Sequence, residues 1–222
     1  MSFPIKACAL GAVGCIASAA IGLSQARSSS SVSEKLALEG YVLISSKEKI
    51  ATEVWKKRAT LYKDTKKNGE LLLKDLDYTK VSSEGNEIKQ KCESFTNGKV
   101  FFNSVKDIYE KIIKLCTLKI NEYHESHFSD GDKFLTTDPQ NSSDWTEIFE
   151  KNQEQIKKEI KDATKENAKN KLSEYCSQKY ELYHSNENKN TSYNVLAWCI
   201  KKNKLAPVSG PKQEGSEQSP SN

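Results

Sequence analysis

Apolar positions fall into three regimes along the chain. The first is an uncharged run of 20 residues from Ala7 to Ala26, ACALGAVGCIASAAIGLSQA, bounded by Lys6 and Arg27. A helix of that length extends about 30 Å, the hydrocarbon thickness of a bilayer. From about Glu34 to Asn203, apolar residues instead recur at three- and four-residue intervals, the period of an amphipathic helix. The last stretch, Lys204 to Asn222, has three Pro and no aromatic residue, so it predicts disorder.

Within the middle regime, Ser143-Asp144-Trp145-Thr146-Glu147 resembles a helix start, with Asp144 and Glu147 at capping-box spacing. Trp145, Ile148, Phe149, Ile156, Ile160 and Ala163 continue one face of that helix, and the charged residues between them predict a mostly solvated element. Val105, Ile108, Tyr109, Ile112, Ile113, Leu115 and Cys116 form a denser stripe and predict a better-buried helix. Ser45-x-x-Glu48 is a third helix start, and Asn97-Gly98 and Asp130-Gly131 are turn signals. Tyr41-Val42-Leu43-Ile44 and Val100-Phe101-Phe102 are short enough for strands but do not alternate. The pattern predicts an all-α protein: an N-terminal transmembrane helix followed by a helical ectodomain.

Three landmarks recur in order. Trp55, Cys92 and Cys116 follow Tyr41-Val42-Leu43-Ile44-Ser45, while Trp145, Cys176 and Cys199 follow Phe134-Leu135-Thr136-Thr137. The Cys-to-Cys interval is 24 residues in one set and 23 in the other (116 − 92 and 199 − 176). We therefore expect two divergent repeats. The boundaries are 1–27 for an anchor or signal, 28–40 for a polar linker, and 41–118 for helical module 1. A connector at 119–133, helical module 2 at 134–203 and a disordered tail at 204–222 complete the chain.

The apolar run admits three readings. An uncleaved anchor uses its full length; a cleaved signal would end near Ser24-Gln25-Ala26; a lipoprotein signal would use Ala12-Val13-Gly14-Cys15. The lipoprotein reading is opposed by Ile16 to Ile21, which stay apolar past that Cys. Gly14, Ser18 and Gly22 share one helical face, the spacing through which two membrane helices pack as a homodimer. Lys6 favours a cytoplasmic N-terminus and so an extracellular bulk at the plasma membrane, with secretion as the alternative.

Charge narrows the functional classes. The chain carries 34 Lys+Arg against 30 Asp+Glu, and no dense basic cluster, which argues against nucleic acid. All but Arg27 and Arg58 of those bases are Lys, so bidentate phosphate or carboxylate recognition is scarcely provided for. Residues 41–118 hold 16 bases and 11 acids, a net of +5, whereas 134–202 hold 11 of each. A mildly positive first module fits attraction to a sialylated or sulfated host-surface ligand, although solvated helix faces account for it more simply.

Candidate chemistry rests on Cys and His. Cys92, Cys116, Cys176 and Cys199 form no C-x-x-C pair, which removes the usual zinc and redox motifs. Outside the membrane they would oxidise, and the repeat selects Cys92–Cys116 and Cys176–Cys199 among three pairings. Four buried thiols are the alternative. His124-Glu125-Ser126-His127, with Asp130 and Asp132 nearby, allows a metal site, but one residue short of the H-E-x-x-H spacing. No phosphate-binding or nucleophile-elbow motif occurs, so no cofactor, metal or catalytic residue is assigned. Trp55, Trp145 and Trp198 are expected as packing anchors.

Lys6, the Gly/Ala-rich run, Gly40-Tyr41-Val42-Leu43-Ile44, Trp55, and the later Tyr175-Cys176 and Trp198-Cys199 pairs together resemble one group of proteins. It is the large paralogous set of membrane-anchored proteins of haemotropic mycoplasmas, wall-less bacteria of red blood cells. The likeness covers most of residues 1–202 and brings no catalytic residue with it. It implies exposure at the single plasma membrane and a part in antigenic variation or host-cell contact. The expected function is therefore a non-catalytic surface protein anchored in membrane lipid. The alternative is a secreted or anchored enzyme, metal-dependent through His124 and His127.

Overall fold

A capping box opens the first helix, α1 (Val32–Leu38). The Glu34 amide donates to Ser31 Oγ at 3.2 Å and the Ser31 amide donates to Glu34 Oε2 at 2.8 Å. Two donors that a helix start leaves unpaired are thereby satisfied. The structure is a computed structural model that describes residues 30–64, 71–136 and 142–202. Seven further helices follow among these residues: α2 (Glu48–Lys63), α3 (Asn86–Thr96), α4 (Tyr109–Cys116), α5 (Ile120–Glu125), α6 (Ser142–Glu159), α7 (Ala168–Tyr180) and α8 (Lys189–Trp198). Two strands of two residues, β1 (Lys133–Phe134) and β2 (Ile200–Lys201), pair antiparallel with Phe134 opposite Ile200. The described chain is mostly helical, in agreement with its three-to-four residue period.

The short apolar runs that lacked alternation do not become strands. Leu43 and Thr117 make one isolated bridge, Ser31 and Phe101 another, and a 3-10 turn takes over at Ile44–Ser46. Each such run turns within three or four residues, too short for a ladder; the first buries Ile44 and the second leaves Phe101 exposed. Asp144 lies inside α6 rather than at its cap, and its carboxylate receives Lys201 Nζ at 2.8 and 2.9 Å. The same helix kinks at Asn152 (φ −126°, ψ 21°), whose side-chain amide donates to the Ile148 carbonyl at 2.9 Å. Side-chain competition for a helical carbonyl is a recognised cause of such a bend.

Two compact units emerge: residues 30–127 with 174–197, and residues 128–173 with 198–202. These units do not coincide with 41–118 and 134–203, because the end of α7 and nearly all of α8 belong with the first. Backbone pairing explains the assignment. The Ile120 amide donates to the Leu182 carbonyl at 2.8 Å, and the His184 amide donates to the Leu118 carbonyl at 3.0 Å. Such joins use main-chain groups, which every residue carries, so no side-chain pattern announces them.

Unit 1 is built around one apolar cluster that includes Val54 and Trp55 from α2, Ile88 and Phe95 from α3, and Ile112 and Leu115 from α4. In unit 2, Trp145, Phe149 and Ile156 of α6 and Leu172 of α7 are buried. Trp145 also donates through Nε1 to the Thr136 carbonyl at 3.2 Å. All three Trp are buried, as packing anchors should be. No helix among the described residues is long and apolar enough to cross a membrane. The run 7–26, with Gly14, Ser18 and Gly22, lies outside the described residues, as does the tail 204–222.

Candidate functional site

Cys92, Cys116, Cys176 and Cys199 are all disulfide-bonded. Cys92 on α3 and Cys116 on α4 form a disulfide with Sγ atoms 2.04 Å and Cα atoms 5.4 Å apart. Cys176 and Cys199 are also disulfide-bonded. The first bridge ties the last turn of α4 to the middle of α3, both faces of which are buried there.

Arg58 was unremarkable in the sequence and is central in the structure. Its side chain and that of Glu122 are only 2% and 3% exposed. Arg58 Nη1 donates to Glu122 Oε1 at 2.9 Å, and Nη2 donates to Oε2 at 2.7 Å and to the Thr117 carbonyl at 2.9 Å. Glu122 Oε2 also accepts the Lys119 amide at 2.8 Å. This planar, two-pronged geometry requires a guanidinium; a lysine ammonium is a point charge and cannot reproduce it. The available signal was rarity: one of only two Arg in a chain whose other bases are all Lys.

The three His residues, 57–60 positions apart at the extremes, converge in unit 1 around the Tyr123 ring. His184 stacks on it with centroids 3.6 Å apart, His127 lies tilted at 4.7 Å, and His124 meets it edge-on at 5.3 Å. The hydrogen bonds fix where the protons sit. His124 Nε2 lies 2.8 Å from the Ser192 carbonyl, which only accepts, so that nitrogen carries hydrogen. Ser192 Oγ is 3.0 Å from His124 Nε2 and 3.0 Å from His184 Nδ1, so the hydroxyl accepts from His124 and donates to His184. Likewise His127 Nδ1 donates to the Tyr123 carbonyl at 2.8 Å while its Nε2 accepts from Lys47 Nζ at 3.1 Å. Burial, then the neighbouring His124 and His127, push the pKa of His184 down to about 4. His184 is therefore neutral near pH 7. Among the described residues no group of three or more His, Cys, Asp or Glu is arranged to hold a metal ion. His124 and His127 are thus brought to one place, but their nitrogens named above already have protein partners.

A second feature of unit 1 is an open cleft of about 520 Å³ between the end of α1, the start of α4 and residues 185–187. Gly40 sets the approach of the last segment. With φ at +78°, it sits so close that an added Cβ would lie 2.4 Å from Asn186 Oδ1 and 2.7 Å from the Asn186 amide nitrogen. Asn186 is in turn held by two bonds, its amide donating to the Glu39 carbonyl at 2.8 Å and its Nδ2 to the Leu38 carbonyl at 2.9 Å. Across the cleft, the Tyr109 hydroxyl donates to Glu39 Oε2 at 2.8 Å. Burial, the bond to Glu39, and then the charges of Glu39 and Glu110 raise the Tyr109 pKa. Tyr41 is raised for similar reasons, by burial first and then by Glu39, Glu110 and Glu187.

No protein-family model, no curated protein and no solved structure matches the chain. Its own features are a mostly helical fold with disulfide-bonded Cys, a buried Arg–Glu pair, a histidine cluster around Tyr123 and an acidic, tyrosine-lined cleft.

Proposed function

We propose that the chain is a non-catalytic surface protein, anchored in the plasma membrane by residues 7–26, that presents this helical domain to the outside. The observation that carries the reading is oxidation: Cys92, Cys116, Cys176 and Cys199 are all in disulfides. Structural disulfides persist in extracytoplasmic compartments and are rare where thiols are kept reduced. The 20-residue uncharged run then supplies export and attachment to lipid, with packing of Gly14, Ser18 and Gly22 as the route to a homodimer. The pairing Cys176–Cys199 and the two divergent copies belong to the same reading, as does kinship with the surface paralogues of haemotropic mycoplasmas and their part in antigenic variation or host-cell contact.

The enzyme alternative draws no support from the histidines, because His124, His127 and His184 hydrogen-bond to Ser192, Tyr123 and Lys47 around a stacked ring. Protease added to intact cells tests the reading. Loss of the domain, together with a Cys92–Cys116 peptide in the unreduced digest, is the expected result. A domain protected until the membrane is permeabilised, or four free thiols in native membranes, would overturn it.

A further inference from the structure

The polar linker expected over 28–40 is folded from Ser30 onward, which leaves little chain between unit 1 and the apolar run. Val32 is fully buried, and two main-chain bonds pin its surroundings. The Val32 amide donates to the Val100 carbonyl at 2.9 Å, and the Phe102 amide donates to the Ser30 carbonyl at 3.0 Å. Ala26, the end of the run, is four Cα steps from Ser30 (30 − 26). Whatever path those steps take, they span at most about 14 Å.

Five large apolar side chains are exposed among the described residues, and two of them, Phe101 and Leu38, flank this tether. Phe101, bridged to Ser31, is 57% exposed. Its neighbour Phe102 is held inward instead, edge-on to the Tyr109 ring at 4.9 Å with Lys35 Nζ 4.6 Å from its own centroid. Leu38, 63% exposed, borders a hollow of about 200 Å³ together with Ser30, Lys35 and Glu39. The two charges there neutralise each other, Lys35 Nζ lying 2.6 Å from Glu39 Oε1. In the turn that precedes Phe101, a Cβ added to Gly98 would meet nothing within 4 Å. Exposed Lys99 and Lys106 stand on either side of Phe101 in the chain, against one acid in 97–107, Asp107.

We propose that Phe101 and Leu38 form a docking face that enters the phospholipid headgroup layer beside the anchor, with Lys99 and Lys106 directed to lipid phosphates. That layer is about 5–7 Å deep on each side of the hydrocarbon core, and so short a tether keeps a face beside Ser30 within its reach. Phe and Leu are side chains that settle at this depth, while lysine stems leave their ammonium groups at the polar level. The inference rests on the reading of 7–26 as an anchor and adds an orientation to it: α1 and 97–107 lie against the bilayer instead of standing free of it.

Tryptophan reporters in the full chain test the proposal. The protein is reconstituted in phosphatidylcholine vesicles with a minor share of phosphatidylglycerol, with and without bromine in the upper acyl chains. Trp55, Trp145 and Trp198 are at most 4% exposed, so bromine should leave wild-type emission unchanged. Phe101→Trp and Leu38→Trp should each lose about half or more of the added emission to brominated lipid. Tyr78→Trp, an exposed position in the 3-10 turn Tyr78–Lys80 that packs on α2, should lose none. Flotation of the vesicles after an alkaline wash separates the two readings. A chain that floats while either Phe101→Trp or Leu38→Trp escapes quenching, or while Tyr78→Trp is quenched as strongly as both, overturns the docking face and leaves the anchor standing. A chain that does not float overturns the anchor and the docking face with it.

Discussion

Acidification should loosen unit 1 through His184, and the size of the effect follows from its surroundings. The folded protein binds a proton at this imidazole only near pH 4, against an ordinary value of 6.5. Between those limits the unfolded chain holds more protons, so stability falls as pH falls. The contribution is fully present above pH 6.5, has dropped by about 2 kcal/mol at pH 5, and reaches a ceiling of about 3 kcal/mol below pH 4. His184 faces Tyr123 and Ser192, with His124 and His127 as the nearest titratable bases, and Lys47 adds a fixed positive charge on His127. Protonated His184 would also turn Nδ1 into a donor, forcing the Ser192 hydroxyl to give up its bond. Urea unfolding at pH 7 and pH 5, with disulfides intact, measures the loss. His184→Phe retains a ring on Tyr123 but cannot titrate. Wild type should therefore lose about 2 kcal/mol more than this variant across the interval. Equal losses in the two proteins would refute the assignment of acid sensitivity to His184.

Three other perturbations have definite expected outcomes. Arg58→Met leaves Glu122 buried without its partner and should cost about 3–5 kcal/mol in urea unfolding, whereas Arg58→Met/Glu122→Leu should recover most of it; a double variant no more stable than the single would contradict this. Gly40→Ala forces a Cβ to within 2.4 Å of Asn186 Oδ1 at a left-handed φ; it should destabilise by at least about 1 kcal/mol, and hydrogen exchange at the Asn186 amide should accelerate. Cys116→Ser opens a loop with a 24-residue separation and should lower stability by about 3 kcal/mol in the unreduced protein, with a smaller further loss on reduction than wild type shows.

The sequence made some of this legible and concealed the rest for identifiable reasons. Helices with a dense apolar stripe were readable: Tyr109, Ile112, Ile113, Leu115 and Cys116 are the buried face of α4. The stripe expected from Val105, however, passes first through two 3-10 turns before α4 begins. Glycine turns at Asn97-Gly98 and Asp130-Gly131 were readable too, with φ of +79° and +85° at Gly98 and Gly131. Unit boundaries were not, because 174–197 joins unit 1 through carbonyls and amides of Leu118, Ile120, Leu182 and His184. The histidine cluster was half visible. His124 and His127 stand close in the chain, but His184 reaches them only by tertiary folding, and the outcome is stacking on Tyr123 rather than a metal site among the described residues. The cleft left no mark at all, since Glu39, Glu110 and Glu187 lie in three separate segments among 30 acidic residues.

Beside those main-chain joins, several contacts between distant parts of unit 1 use residue types that are sparse in this chain. Arg58 binds α2 to Glu122 of α5 across 64 positions; His124 and His184 meet at Ser192; Cys92 and Cys116 close α3 on α4; Gly40 lets Asn186 approach. The abundant types do something else. Lys56 with Glu53 and Lys89 with Glu93 form surface pairs between exposed groups, and such pairs contribute between nothing and about 1 kcal/mol. Substitution of these Lys and Glu residues therefore costs little, while substitution at the few joints costs several kcal/mol. A fold divided in this way tolerates change at such surface pairs while its few joints must stay as they are.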